Sequence, residues 1–317
     1  MPLVKAKFTA SALFRNAHFA TIYSAKLRPT PHLPQQRERL LLADGDFLDL
    51  DFSYSEENSK IAILIHGLEG NAQRTYMKGQ GHHLLANGWD VCAVNLRGCS
   101  GEPNLQFASY NAGKTEDLHA IVEYIRNKDR YAKIALVGFS LGGNLVLKYL
   151  GERSAVPSEI ARAVAISTPL NLRGTLESLS QFNNWVYRTS FLHNLKKKYR
   201  QKMQQFPERM NGEELRKIDS LLEFDHRYTA PAHGFEDAYD YYSKNSSGQF
   251  IQSIEIPVLL LNAQNDTFLS SDSYPKRFAK NSGTFYLETP TYGGHVGFHE
   301  TNQLYYSERR TLQFIDG

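Results

Sequence analysis

The chain has 317 residues, 41% of them hydrophobic, enough to bury a large core within one or two domains. Its formal net charge is +3, from 36 basic and 33 acidic residues, a near-balance that offers no global field for nucleic acid or an anionic membrane. The two cysteines, Cys92 and Cys99, form neither a disulfide framework nor a C-x-x-C pair, which suits reduced thiols in a cytoplasmic protein.

From Met1 to Lys26 polar and basic residues interrupt every apolar stretch, so no leader-like core is expected there. No run approaches the ~18 consecutive apolar residues of a membrane span. Arg39–Ala43 and Phe47–Tyr54 are predicted as two strands around the turn signal Asp44-Gly45-Asp46. The continuous apolar run Ile61–Ile65 suits a strand buried on both faces, as does Val91–Leu96. Thr75–Asn87 is predicted as a helix closed by Gly88, and Leu118, Ile121, Val122 and Ile125 recur at helical spacing. Strands follow at Ile134–Val137 and Ala163–Ile166, with a helix from Asn144 to Leu150 between them, stopped by Gly151.

Alternation of strand and helix from 61 to 167 predicts a parallel sheet with helices on both faces. It then breaks. Residues 170–250 hold no convincing buried strand. Leu176, Leu179, Phe182 and Val186 are spaced for one helix, and Leu192, Leu195, Tyr199, Met203 and Phe206 for another. This predicts a helical lid inserted into a single domain spanning 1–317, folded over the C-terminal edge of the sheet. The sheet pattern resumes at Pro257–Asn262 and Thr284–Glu288, and a helix from Thr301 to Phe314 closes the chain.

Between the Lys133–Val137 strand and the following helix stands Gly138-Phe139-Ser140-Leu141-Gly142. A serine on such a strand-to-helix turn can be held with its hydroxyl above the sheet, a nucleophile elbow. The same run also fits a glycine-rich βα turn of another doubly wound protein, so the remaining residues decide. A serine hydroxyl needs a base and an orienting acid. Asp266 falls just past the strand ending at Asn262, and His295 follows the last strand within Gly293-Gly294-His295-Val296-Gly297, in the order Ser, Asp, His. Two backbone N–H groups should receive the developing oxyanion. Leu141 follows the nucleophile, and Leu68 lies in His66-Gly67-Leu68-Glu69-Gly70 after Ile65. His66 is expected to hold that loop by a side-chain hydrogen bond rather than to take part in the chemistry, and Cys99 to be a small filler.

Other signals are weaker. Gly79-Gln80-Gly81 lacks the third glycine of a dinucleotide fingerprint, His82-His83 cannot share one helix face as ligands, and His299-Glu300 lacks the second histidine of a zinc-protease motif. The cluster Lys196, Lys197, Lys198, Arg200 and Lys202 is expected to be a solvated helix face, the alternative being weak attraction to anionic substrates or a membrane surface. Of Phe182, Trp185, Tyr187, Phe191, Tyr239, Tyr241 and Tyr242, most are expected in the lid's own core, with some available to line a pocket.

The chain resembles the YheT-type α/β-hydrolases nearly end to end. The resemblance rests on Asn16-Ala17-His18-Phe19-Ala20-Thr21, Asp44–Leu50, His66–Gly70, Leu96-Arg97-Gly98-Cys99-Ser100-Gly101-Glu102-Pro103-Asn104 and Gly138–Asn144. Glu223-Phe224-Asp225, Pro231-Ala232-His233-Gly234-Phe235 and Gly293–Phe298 belong to the same pattern. It implies an α/β-hydrolase fold and a triad of Ser140, Asp266 and His295. Two departures stand out: Asn111 where relatives often carry a histidine, and Asn265-Asp266-Thr267-Phe268 where an acidic pair followed by proline is usual. The expected activity is hydrolysis of small carboxylic esters with short or medium acyl chains, or of lipid-like esters, through an acyl-enzyme and without metal or organic cofactor. Acyl transfer through the same intermediate, and a non-catalytic binding protein on the same fold, are the alternatives.

Overall fold

A computed structural model describes residues 2–55 and 58–317; Met1, which opens the segment read above for a leader, lies outside the described residues with Glu56 and Glu57. Among the described residues the strands are β1 (Leu3–Val4), β2 (Gln36–Leu41), β3 (Phe47–Ser53), β4 (Lys60–Ile65), β5 (Asp90–Asn95), β6 (Lys133–Phe139), β7 (Ile160–Ile166), β8 (Val258–Leu261) and β9 (Phe285–Glu288). They form one sheet in the order β1-β9-β8-β7-β6-β4-β5-β3-β2. The β2–β3 and β3–β5 pairs are antiparallel and the others parallel. The helices that matter below are α1 (Ala17–Ile22), α2 (Thr75–Leu85), α3 (Thr115–Arg126), α4 (Leu141–Glu152), α5 (Leu172–Ser180) and α6 (Trp185–Gln205).

The apolar strands feed two cores by their period of two. Ile61, Ile63 and Ile65 of β4 face one core with α3 and α4, whereas Ala62 and Leu64 face the other with α2 and the closing helix Tyr306–Asp316. Ile134 and Leu136 of β6 join the first core, and Ala135, Val137 and Phe139 the second. In β3 the alternation carries charge as well. Asp49 and Asp51 meet Arg39 and Arg37 of β2 at 2.8 and 2.6 Å, while Leu48, Leu50 and Phe52 are buried.

Several boundaries differ from the sequence reading, each for a local reason. Gly151 does not stop α4, which continues to Glu152. A Cβ at Gly151 would lie 2.1 Å from the Phe250 carbonyl oxygen, so the glycine permits a close backbone approach. The single helix expected across Leu176–Val186 is two, because Gln181 turns extended at ψ 152°. Asn184 then bridges the break, donating to the carbonyls of Ser178 and Thr267 at 2.9 and 2.8 Å. The closing helix starts at Tyr306 rather than Thr301, where the Glu308 carboxylate accepts the Tyr305 N–H at 3.0 Å and caps it. The two-residue β1 was missed because so short a strand shows no pattern.

Between β7 and β8 the chain is helical, and it carries a small core of its own, in which Leu179, Leu195, Tyr199, Ile218 and Phe224 pack against Phe268. In α6 the basic cluster divides. Lys197 and Arg200 are exposed as expected, but Lys198 and Lys202, four residues apart, share the inward stripe with Leu195 and Tyr199. Lys202 is 3% exposed and donates to the carbonyls of Asn104, at 2.7 Å, and Gln106. Long methylene stems let both amines reach polar groups through an apolar interface.

Candidate active site

Parallel strands deliver their C-terminal ends to one edge, and ligands of open α/β sheets bind there. Leu68 follows β4, Ser140 follows β6, Asp266 follows β8 and His295 follows β9. Ser140, with φ +53° and ψ −119°, occupies a conformation that a non-glycine residue rarely adopts. Its neighbours explain how the turn closes. A Cβ at Gly138 would sit 2.3 Å from the Gly142 carbonyl oxygen, and one at Gly142 would sit 2.3 Å from that of Ile65. The Ser140 N–H donates to Ile166 O at 2.9 Å, and its carbonyl accepts the Asn144 N–H at 3.1 Å, fixing the turn to β7 and to the first turn of α4.

The acid and histidine are bonded: His295 Nδ1 and Asp266 Oδ2 lie 2.8 Å apart, and Asp266 Oδ1 accepts the Phe268 N–H at 2.9 Å. The Phe268 ring stacks on the imidazole at 4.2 Å between centroids, so the residue two places after Asp266 holds the histidine from the side. Asn265 secures the same loop, accepting the Gly294 N–H at 3.0 Å and donating to Arg15 O at 3.1 Å. Ser140, Leu141, Leu68 and His295 all line one cavity of about 400 Å³. Among the described residues, no direct hydrogen bond joins the Ser140 hydroxyl to His295, as is common before substrate arrives.

The loop after β4 is held at both sides of Leu68. The Gly67 N–H donates to Tyr76 OH at 3.1 Å, and the Glu69 N–H to Tyr110 OH at 2.9 Å. Among the described residues, the N–H groups of Leu68 and Leu141 have no protein acceptor. His66 donates from Nδ1 to Gly67 O at 2.7 Å and accepts the Leu96 N–H on Nε2 at 3.2 Å. Burial pushes it down to about 3, so it stays neutral, bracing the loop as expected. The buried Glu69 carboxylate accepts from Tyr110 OH at 2.8 Å and from Lys198 of α6 at 2.9 Å, tying the helical segment to this loop. Burial pushes the Cys99 thiol up, which keeps it protonated and a poor nucleophile.

Sequence reasoning missed the support for His295. Its N–H donates to Thr21 Oγ1 at 2.9 Å, and the Thr21 hydroxyl donates to Ala17 O at 2.7 Å within α1. The Val296 N–H donates to Ser167 Oγ at 2.9 Å, at the end of β7. The run Asn16–Thr21 was singled out by resemblance alone; nothing in its own pattern points 274 residues ahead. Of the lid aromatics, Tyr187, Phe191, Tyr241 and Tyr242 line the cavity, whereas Phe182, Trp185 and Tyr239 are exposed rather than packed in a core.

Comparison with known proteins agrees with this architecture. A family described as alpha/beta hydrolase fold matches residues 62–300. The chain is 31% identical over 299 residues to YheT of Escherichia coli, an alignment covering 92% of this chain and 87% of that protein. It is 32% identical to the phospholipase ABHD3 of Mus musculus, covering 90% of this chain and 72% of that one. A Pyrococcus furiosus esterase has the same fold, with a TM-score of 0.61 at 18% identity over 90% of this chain and 91% of that one. Among the described residues no helix is long and apolar enough to cross a membrane. The chain belongs to the α/β-hydrolase family, in its YheT-type group, and is a carboxylic ester hydrolase.

Proposed function

We propose that the protein cleaves small carboxylic esters through an acyl-enzyme on Ser140, with His295 as base and Asp266 as the orienting acid. The 2.8 Å Asp266–His295 bond, in the cavity that Ser140 also lines, is the observation that carries this reading. Ser140 Oγ attacks the ester carbonyl carbon as His295 Nε2 takes its proton. The carbonyl oxygen, now an anion, is received by the N–H groups of Leu68 and Leu141. Collapse breaks the ester C–O bond, and His295 returns the proton to the departing alcohol. Water, deprotonated by His295, then attacks the acyl carbon and frees the acid and Ser140. Asp266 keeps the proton on Nδ1 and stabilises the imidazolium as it forms.

The cavity volume of about 400 Å³ is in the range that takes small ligands. Leu172, Leu176 and Leu179 of α5 with Val186 and Leu195 of α6 give it an apolar wall. An acyl chain there gains about 0.8 kcal/mol per buried CH₂, which favours short or medium chains over acetyl. We read the segment between β7 and β8 as the lid of a single domain, and its two neighbours among the relatives' names, a phospholipase and a monoacylglycerol lipase, as pointing to lipid-like esters. Both cysteines are buried and unbonded, which suits the reducing cytoplasm.

A fluorophosphonate probe tests the assignment. Stoichiometric labelling of Ser140, absent in Ser140→Ala, is expected. Folded protein that stays unlabelled would favour a binding role. Product analysis in the presence of added alcohol separates the two enzymatic outcomes: free acid marks hydrolysis, and a new ester marks acyl transfer.

A further inference from the structure

The loop that carries the Leu68 N–H is a tight turn over residues 67–70, closed by the Gly70 N–H donating to Gly67 O at 3.0 Å. Its third residue, Glu69, has φ +55°. A type II turn requires a left-handed value at this place, and glycine or asparagine usually supplies it. A residue with a longer side chain keeps such a conformation only where its surroundings over-determine it. Here three neighbours do so. The Glu69 N–H donates to Tyr110 OH at 2.9 Å, and that hydroxyl donates back to Glu69 Oε1 at 2.8 Å. The Glu69 carbonyl accepts from Arg74, at the start of α2, at 2.6 Å. The third neighbour is Lys198, whose Nζ donates to Glu69 Oε1 at 2.9 Å.

Arg74 and Tyr110 lie in the connections that follow β4 and β5, whereas Lys198 comes from α6, in the helical segment between β7 and β8. The Glu69 side chain is 4% exposed, and among the described residues Lys198 is the one cation paired with it. A carboxylate left at that depth without a cation moves toward water or takes up a proton. The packing of α6 gives no reason for an ammonium here. Leu195 and Tyr199, on the same stripe, already bury the helix, and an amine among them is unfavourable unless it is paired. The position of the charge is therefore explained by its acceptor, and that acceptor is the residue next to Leu68.

We propose that Lys198 is a positioning residue for the oxyanion step. By neutralising Glu69 it keeps the 67–70 turn in the conformation that leaves the Leu68 N–H free to face the cavity, so seating α6 and completing the oxyanion site are one event. Lys198 acts through Glu69 and not on the ester. Although its side chain also lines the cavity, its charge is already used by the carboxylate, which leaves it little to offer a substrate anion. The inference rests on the ester-hydrolysis reading, with Leu68 as an oxyanion donor, and deepens it.

The test uses Lys198→Met, which keeps the stem and removes the charge, and the double variant Lys198→Met with Glu69→Gln, which removes both charges and keeps an acceptor for the Tyr110 hydroxyl. Hydrolysis of 4-nitrophenyl butyrate gives kcat and KM, thermal melts report folding, and inhibition by propylboronic acid reports the oxyanion site, because its tetrahedral adduct with a serine presents an oxygen where the oxyanion forms. Lys198→Met is expected to lower kcat by about 10–100-fold, less than outright loss of an oxyanion donor, and to leave KM within about threefold. Boronate affinity should weaken by a similar factor. The double variant should recover most of both losses. Unchanged kcat and boronate affinity in folded Lys198→Met would overturn the proposal. So would a rise in KM alone, which would make Lys198 a substrate-binding residue, and so would a double variant as slow as the single one. Should Lys198→Met not fold, its effect is read in the Glu69→Gln background, where it should change kcat by less than about twofold because no carboxylate is left to neutralise, and a tenfold loss would overturn the proposal. No turnover by the intact protein would instead overturn the esterase reading.

Discussion

Replacing Thr21 by valine removes one oxygen and keeps the side-chain shape, so it isolates what the α1 hydroxyl does for His295. The His295 N–H then loses its 2.9 Å acceptor in a place where Thr21 is only 8% exposed. A buried N–H left without a partner costs about 1–3 kcal/mol. The loop can recover part of this by shifting, and a shift displaces the imidazole from Ser140. Because each 1.36 kcal/mol of barrier is tenfold in rate, kcat is expected to fall by about 10–100-fold. KM should change by less, since the apolar wall on α5 and α6 is untouched. Thr21→Ser keeps the acceptor and should recover kcat to within about threefold. The assay is steady-state hydrolysis of a nitrophenyl ester, with thermal melts of all three proteins. Wild-type kcat in Thr21→Val would mean that the Ser167 bond to the Val296 N–H and the Asn265 bond to the Gly294 N–H hold the loop by themselves, and the reasoning would fail.

Two further outcomes follow from the site. Asp266→Asn can keep the acceptor for the Phe268 N–H but presents an amide to His295 Nδ1, which favours the wrong tautomer. Turnover should drop by something on the order of 10⁴ with folding intact, by analogy with other triads, and near-normal turnover would mean another acid serves. His66 gives a pH effect of definite sign. Its folded value of about 3 lies below the unfolded 6.5, so the stability it lends is complete above about pH 6.5 and is lost as pH falls toward 3. Unfolding free energy from this group should be about 2 kcal/mol lower at pH 5 than at pH 7, and urea titrations of His66→Gln should show a shallower decline over that range. Identical slopes for the two proteins would contradict the buried neutral assignment.

The residues that were legible from sequence are those whose reason lies close by in the chain. Ser140 announces itself because a strand, two glycines and a helix must all occur within a few residues for the turn to close. Leu68 and His66 follow a continuous apolar strand, and Asp266 and His295 each follow another, so alternation alone carries them to one edge of a parallel sheet. Thr21 and Lys198 were not legible, for a common reason. Each meets its partner across a large sequence separation, and the partner's identity leaves no periodic trace in the segment itself. Lys198 shows the difficulty best. Its neighbours Lys197 and Arg200 are exposed, so a run of basic residues suggests solvent, yet helical geometry turns every fourth residue inward, and the 2.9 Å contact with Glu69 depends on a loop 129 positions away. Local composition therefore gives the chemistry of the proposed nucleophile, base and acid. What steadies His295, braces the loop after β4 and shapes the cavity is set by packing between segments, which is where selectivity between esters has to arise.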